Sequence, residues 1–258
     1  MTPLHRYLDS LVERYNVPGF ADADPIQFPK RYTDKRDIEI SAFLTSTISW
    51  GRRAMILANA EKIDTILCRK PHRFILEGDI ENISDANIHR TFFGKHLRYA
   101  LRGLREIYSR YGSMEDLAVA CGAVNAGAPA WELANAINGI FADANAAAPL
   151  EGPSRCLPDK PEKSALKRFN MALRWLVRND GIVDIGCWEV LKPSQLYIPL
   201  DVHSANTSRM LKLLGRSGND RKAVEELTHA LRAFRPDDPV IYDFALFGAG
   251  EEGIELVK

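Results

Sequence analysis

Apolar residues recur at helical spacing along most of this chain, and most recurrences open on a capping residue or a proline. Leu4, Tyr7, Leu8, Leu11 and Tyr15 form one such stripe behind Thr2-Pro3, a cap followed by a first-turn proline. Asp34 precedes a segment with Ile38, Phe43, Leu44 and Ile48 on its core side, and Met55, Ile56, Ala60, Ile63 and Leu67 make the next. Pro71 starts a short helix through Leu76. Gly94 to Tyr111 is a stronger one, with Leu97, Ala100, Leu101, Leu104, Ile107 and Tyr108 as its apolar face. Ser113 caps MEDLAVAC, Pro129 to Asn145 follows, and Asp220 caps RKAVEELTHALRAF. A last helix is built by Val240, Tyr242, Phe244 and Leu246 and ended by Gly248 and Gly250. The pattern predicts an all-α fold. Two stretches interrupt it. Pro18, Pro25 and Pro29 argue against helix between Val17 and Arg36, and Ala146 to Lys163, rich in Pro, Gly and Ala, reads as loop.

A chain of 258 residues suffices for one large domain or two small ones and can bury a sizeable core. Lysine and arginine together number 34, as do aspartate and glutamate, so the net charge is zero. A globally basic nucleic-acid binder is thereby excluded, and any phosphate binding has to come from a local patch. Cys68, Cys121, Cys156 and Cys187 are scattered, with none at metal-ligand spacing. With no signal peptide and no apolar run long enough to span a membrane, they predict a protein of the reducing cytoplasm, without metal, cofactor or membrane contact.

The residues able to do chemistry concentrate between Lys163 and Arg209. KSALKRFNMALRWLVR has a helical period, with Leu166, Phe169, Leu173, Leu176 and Val177 on one face. Lys167, Met171, Arg174 and Arg178 fall on another strip. A helix restarts after Pro199 with Asp201 at the N-cap position, and Ala205, Met210, Leu211 and Leu214 follow. By residue type alone Lys167 reads as a surface lysine, Asp201 as a helix cap and His203 as a hydrogen-bonding partner. No P-loop, dinucleotide fingerprint, GxSxG or zinc spacing is present, which excludes the enzyme classes that announce themselves by motif.

KSALKRFNMAL, and Leu200-Asp201-Val202-His203 after it, resemble two motifs of the HhH-GPD DNA glycosylase superfamily, the endonuclease III and 8-oxoguanine glycosylase class. RWLVR and PLDVH resemble an uncharacterised bacterial branch with no activity to carry over. IEISAFLTSTISW is similar to an early buried glycosylase helix, and VEELTHALRAFRPDDPVIYDFALFGAG to the C-terminal ones. The resemblance implies two helical lobes with a cleft between them, one lobe near residues 37–145 and the other residues 1–36 plus 146–258. It implies damaged DNA as partner, no obligatory protein partner, and base excision with strand cleavage. Lys167 would attack C1′ of the damaged nucleotide and form a Schiff base, its pKa lowered by burial and by cations such as Arg174. Asp201 would take the amine's proton or stabilise positive charge on the sugar. Arg52, Arg53, Lys163, Arg174, Arg178 and His203 would contact the nucleic acid, and Trp50, Trp188 and Tyr197 would line a pocket for the flipped base.

The chain departs from the superfamily in three places. LPDKPEK stands where the phosphate-binding hairpin would be and lacks its pair of glycines, leaving Lys160 and Lys163 as partial substitutes. Lys167 and Asp201 are 34 residues apart, farther than in endonuclease III, although archaeal 8-oxoguanine glycosylases carry a long insertion at the same place. No cysteine follows Cys187, so the endonuclease III type of iron–sulfur cluster is not expected. Two motifs keep a second reading. Trp50-Gly51-Arg52-Arg53 is either a base-stacking, phosphate-holding break or a buried tryptophan beside solvated arginines. Arg98, Arg102 and Arg105 are either a backbone-binding stripe or the solvated face of an amphipathic helix. Two alternatives remain at the level of the whole chain: a non-catalytic nucleic-acid-binding relative, and a helical protein without a nucleic-acid role.

Overall fold

A computed structural model describes residues 1–252. In chain order its elements are α1 (Pro3–Tyr15), α2 (Lys35–Thr47), α3 (Arg53–Ile66), α4 (Pro71–Glu77), β1 (Asn87–His89), β2 (Phe92–Phe93), α5 (Gly94–Tyr111), α6 (Met114–Ala120), α7 (Pro129–Ala144), α8 (Lys167–Val177), α9 (Val202–Met210), α10 (Arg221–Arg232) and α11 (Tyr242–Glu252). The capping signals explain the starts. The side chains of Thr2, Asp34, Ser113 and Asp220 each accept from a first-turn amide of the helix that follows. Gly112, at φ 83°, closes α5 in the left-handed conformation. Among the described residues no helix is long and apolar enough to cross a membrane.

Four expectations are corrected. The prolines between Val17 and Arg36 start short 3-10 helices at Pro18, Pro25 and Pro29, because a first-turn proline has no amide to lose. The helix expected from Lys163 begins only at Lys167, since Leu166 adopts a left-handed conformation and Ser164 bridges to Asp220. The last helix runs through Gly248 and Gly250 to Glu252. The antiparallel hairpin β1–β2 interrupts the otherwise helical chain, with strands too short to show an alternating pattern.

The chain divides into two compact units, one formed by Met1–Asp22 with Glu162–Lys258 and the other by Ala23–Pro161. The turns at Pro25 and Pro29 belong to the second because they pack on α2 and bury Ile26 and Pro29 there. In this unit α2 is buried without a break from Ile38 to Thr47. Its Glu39 accepts from the amides of Met114 and Glu115 and from the Tyr108 hydroxyl, satisfying the start of α6. α5 and α7 approach closely at Gly103, where an added Cβ would lie 2.1 Å from Phe141 Cδ1. In the first unit α11 packs against both α1 and α9, and Trp175, Tyr242 and Phe244 fill the interior.

Candidate functional site

The first unit holds a chain of buried ion pairs built on α8. Arg174 and Arg178 are one turn apart, so both guanidinium groups leave the same helix face. Arg174 binds Asp184 through Nε at 3.2 Å and Asp243, in the first turn of α11, through Nη1. Arg178 binds Asp184 through Nη1, Asp180 through Nη2 at 2.7 Å and Asp238 through Nε at 2.9 Å. Phe244 lies under the Arg174 guanidinium, 4.5 Å from its ring centroid. Burial pulls the Arg178 pKa down, but Asp184, Asp238 and Asp180 outweigh it and raise it overall. Burial pushes the Asp184 carboxyl up against the opposing pull of Arg174 and Arg178.

This corrects the nucleic-acid contacts expected of Arg174 and Arg178. Their side chains are 4% and 1% accessible and their donors are taken by carboxylates inside the fold, so neither can reach a phosphate.

Lys167 and Asp201 stand at the edge of the same network. Lys167 is the first residue of α8, half-buried, and its Nζ donates to Met171 Sδ at 3.5 Å. Asp201 is the N-cap of α9, where its Oδ1 accepts from the Ser204 amide at 2.8 Å. No ion pair joins the two directly among the described residues. Both act electrostatically on Asp243, whose carboxyl is raised to about 6 by burial, opposed by Arg174 and Lys167 and reinforced by Asp201 and Asp184. Four carboxylates, Asp180, Asp184, Asp238 and Asp243, are thus paired with two cations, Arg174 and Arg178.

Two local features sharpen the start of α8. Leu166 sits at φ 49°, a left-handed conformation that costs a non-glycine residue about 1 kcal/mol or more. Asn170, one turn into the helix, gives its Nδ2 to the Ala165 carbonyl, while its Oδ1 is buried without a hydrogen-bond partner. Trp188 is buried at 3% exposure with its Nε1 likewise unpartnered. Tyr197 is buried beneath the Arg232 guanidinium. Lys163 and His203 are exposed.

The remaining candidates belong to the unit formed by Ala23–Pro161. His89 is buried, bonded through Nδ1 to Asn59 Nδ2 at 2.9 Å and through Nε2 to the Trp50 carbonyl at 2.8 Å. With the Asn59 amide donating to Nδ1, it is Nε2 that donates to the Trp50 carbonyl. The edge of the His89 ring meets the Trp50 ring at 4.6 Å. Gly51 turns the chain at φ 99°, hard against Arg90, and Arg52, Arg53 and Arg90 are all exposed there. The stripe Arg98, Arg102 and Arg105 is not a freely solvated face, because its guanidinium groups are engaged within the unit. Arg98 binds the Ile83 carbonyl and Asp85, Arg102 binds Glu81 and Asn145, and Arg105 binds the carbonyls of Ile75 and Gly78, so the three clamp residues 75–85 onto α5. An open cavity of about 800 Å³ lies beside that segment, lined by α3 residues such as Ala58 and Ile66 and by Phe74, Ile83 and Ile88.

Sequence reasoning missed Asp184 and Asp243. The signal was there: each is a carboxylate inside an apolar run, Val183-Asp184-Ile185 and Tyr242-Asp243-Phe244, and an acid so placed needs a buried cation. Among the described residues no group of three or more His, Cys, Asp or Glu side chains could hold a metal ion.

Fold and site define a predominantly helical protein that sets a lysine and a capping aspartate against a buried acid–arginine network. The chain belongs to the family described as proteins of unknown function, DUF2400, whose model matches residues 24–252. No curated protein and no solved structure matches it.

Proposed function

We propose that this protein processes damaged DNA as a base-excision glycosylase with strand-lyase activity, on a two-lobed helical fold of the HhH-GPD type. The observation that carries the reading is that Lys167 opens α8, the helix whose Arg174 is ion-paired with Asp243 of α11, while the charges of Lys167 and of Asp201 at the α9 cap both act on the Asp243 carboxyl. Catalytic groups have to act on one another in this way, whereas a surface lysine and a helix cap need no common electrostatic neighbour.

In the proposed reaction the Lys167 amine, as the free base, attacks C1′ of a flipped-out nucleotide. The glycosidic bond breaks and its electron pair leaves with the base; the attached nitrogen then loses a proton and its lone pair forms a second bond to C1′ as the C1′–O4′ bond breaks and O4′ takes up a proton, which gives the Schiff base. Asp201 uses Oδ1 for the cap and offers its charge to the cation developing on the sugar. Exposed Arg52, Arg53 and Arg90 in one unit and Lys163 in the other supply local positive charge to a chain whose net charge is zero.

Borohydride trapping tests this with duplexes carrying an abasic site, uracil or 8-oxoguanine. The wild-type protein is expected to form a covalent adduct with at least one, and Lys167→Gln with none. Duplex binding without any adduct would replace the proposal by the non-catalytic relative, and no binding at all would end the nucleic-acid reading.

A further inference from the structure

Residues 78–88 carry one short 3-10 turn and the start of β1, and most of their side chains are exposed. Yet the stretch is fixed at many points. Arg98 of α5 binds the Ile83 carbonyl, Arg102 binds Glu81 at 2.7 Å and Arg105 binds the Gly78 carbonyl at 2.8 Å. Gly94, the first residue of α5, donates to the Ala86 carbonyl at 3.0 Å. A Cβ at Gly94 would lie 1.7 Å from the Ser84 oxygen, so only glycine lets the two backbones touch. Just past the stretch, His89 is bonded to Asn59 of α3 at 2.9 Å. A simple connection needs no such fixing, whereas the wall of a binding site does.

This wall faces α3 across the open cavity of about 800 Å³, a volume within the range of small-molecule sites. Ile66, Phe74, Ile83 and Ile88 supply its apolar lining, and the first three keep part of their surface uncovered. Ala58 and Ala86, both small and exposed, leave it open. The side chains of Thr65, Asn82 and Ser84 also line it and bond to nothing else among the described residues. The charges at the cavity balance. Glu61 is held by Arg31 at 2.7 Å and Arg69 at 2.8 Å, which leaves Lys62 and Asp79, one of each sign. Along α3 the lining runs from Ala58 to Ile66, a rise of about 12 Å. A stable protein interface covers about 800 Å² on each partner, so a cleft this short suits a small molecule instead. We infer that it binds a neutral, largely apolar small molecule, with its body against Ile66, Phe74, Ile83 and Ile88 and its hydrogen-bonding end at Thr65, Asn82 and Ser84. The site uses neither Lys167 nor Asp201 and stands whether or not the protein acts on DNA.

The test uses the whole protein and the neutral dye N-phenyl-1-naphthylamine, whose fluorescence rises when it leaves water. Saturable binding of one dye per chain is expected, with amide shifts in NMR spectra centred on Thr65, Asn82 and Ser84. Ala58→Trp and Ala86→Trp each put an indole into the cleft from an exposed position, and each should weaken the dye at least about tenfold. Ala58→Ser adds little bulk and should stay within about twofold of the wild type. The 8-sulfonate of the same dye tests the charge. It should bind at least about threefold more weakly, because no surplus cation is there to pair with it. A fluorescence rise that does not saturate, amide shifts centred outside the cleft, or binding that both tryptophan variants leave unchanged overturns the site. If one tryptophan variant fails to fold, the other and the NMR map still decide. Equal or tighter binding of the sulfonate overturns the neutral class of the ligand.

Discussion

Replacing Arg178 by methionine keeps a side chain of similar length and removes the cation shared by Asp180, Asp184 and Asp238. The three acids would not suffer equally. Asp180 and Asp238 keep 21% and 24% of their side chains accessible and can turn to water. Asp184 has no accessible side-chain surface and would be left with Arg174 alone. Breaking one side of a buried pair costs about 3–5 kcal/mol. With two of the three acids able to resolvate, the lower end applies, about 3 kcal/mol. For a chain of this size that is a fall in melting temperature of roughly 6–12 °C. The sign of the pH dependence follows from Asp184, whose pKa is already raised by burial. A carboxyl raised in the folded state favours the fold at low pH and loses that contribution as pH climbs through its folded value. Without Arg178 its pKa rises further, so the penalty should be larger at pH 8 than at pH 5. Circular dichroism melts at both pH values read this directly. A loss below about 1 kcal/mol, or a penalty larger at pH 5, would refute the buried network. An Arg178 that instead contacted DNA would lose affinity and leave the melt unchanged.

Asp201→Asn keeps an oxygen for the Ser204 amide, so stability should drop by about 1 kcal/mol or less while trapped adduct is abolished; a large stability loss in urea titration would make Asp201 a structural cap alone. Gly103→Ala drives a methyl into Phe141 and should destabilise by about 1–3 kcal/mol, measured by thermal melting; an unchanged melt would place α5 and α7 farther apart than described. Arg52→Glu with Arg90→Glu, at exposed positions that pair with no acid among the described residues, should weaken duplex binding and reduce its salt slope by about two contacts, read by fluorescence anisotropy across salt concentrations; an unchanged slope removes the Trp50–Arg53 break from the interface.

The helix starts were legible because capping is local. Asp34, Ser113, Asp201 and Asp220 each need only the next few amides to act, and a sequence shows those neighbours. The partners of Arg174 and Arg178 were not legible. Their acids come from the following loop and from either side of the α11 start, up to 69 residues away, and spacing along α8 cannot tell an arginine facing solvent from one facing a distant aspartate. The same blindness affected Arg98, Arg102 and Arg105, half of whose partners are main-chain carbonyls that carry no sequence signal. Lys163 to Leu166 looked helical because their apolar spacing fits the period, and only the bridge from Ser164 to Asp220 and the turn at Leu166 reveal otherwise.

The cost of these arrangements falls unevenly, and its distribution points back to the start of α8. Six non-glycine residues adopt positive φ among those described, and Cys68, Arg69, Arg90, Arg155 and Lys212 do so on exposed turns, where a strained residue can relax. Leu166 does so while 3% exposed, packed where relaxation would disturb its neighbours. Within one turn of it lie Lys167 and the unpartnered Oδ1 of Asn170, and farther along the same helix both arginines of the network are buried. A chain that only needed a core here could meet that need with apolar residues at equal or better stability. Strain, an orphan acceptor and buried charge coinciding on one helix is the pattern of a site whose geometry is held against local preference. It is the physical argument that favours the proposed placement of the chemistry at Lys167 over the open cavity against α3.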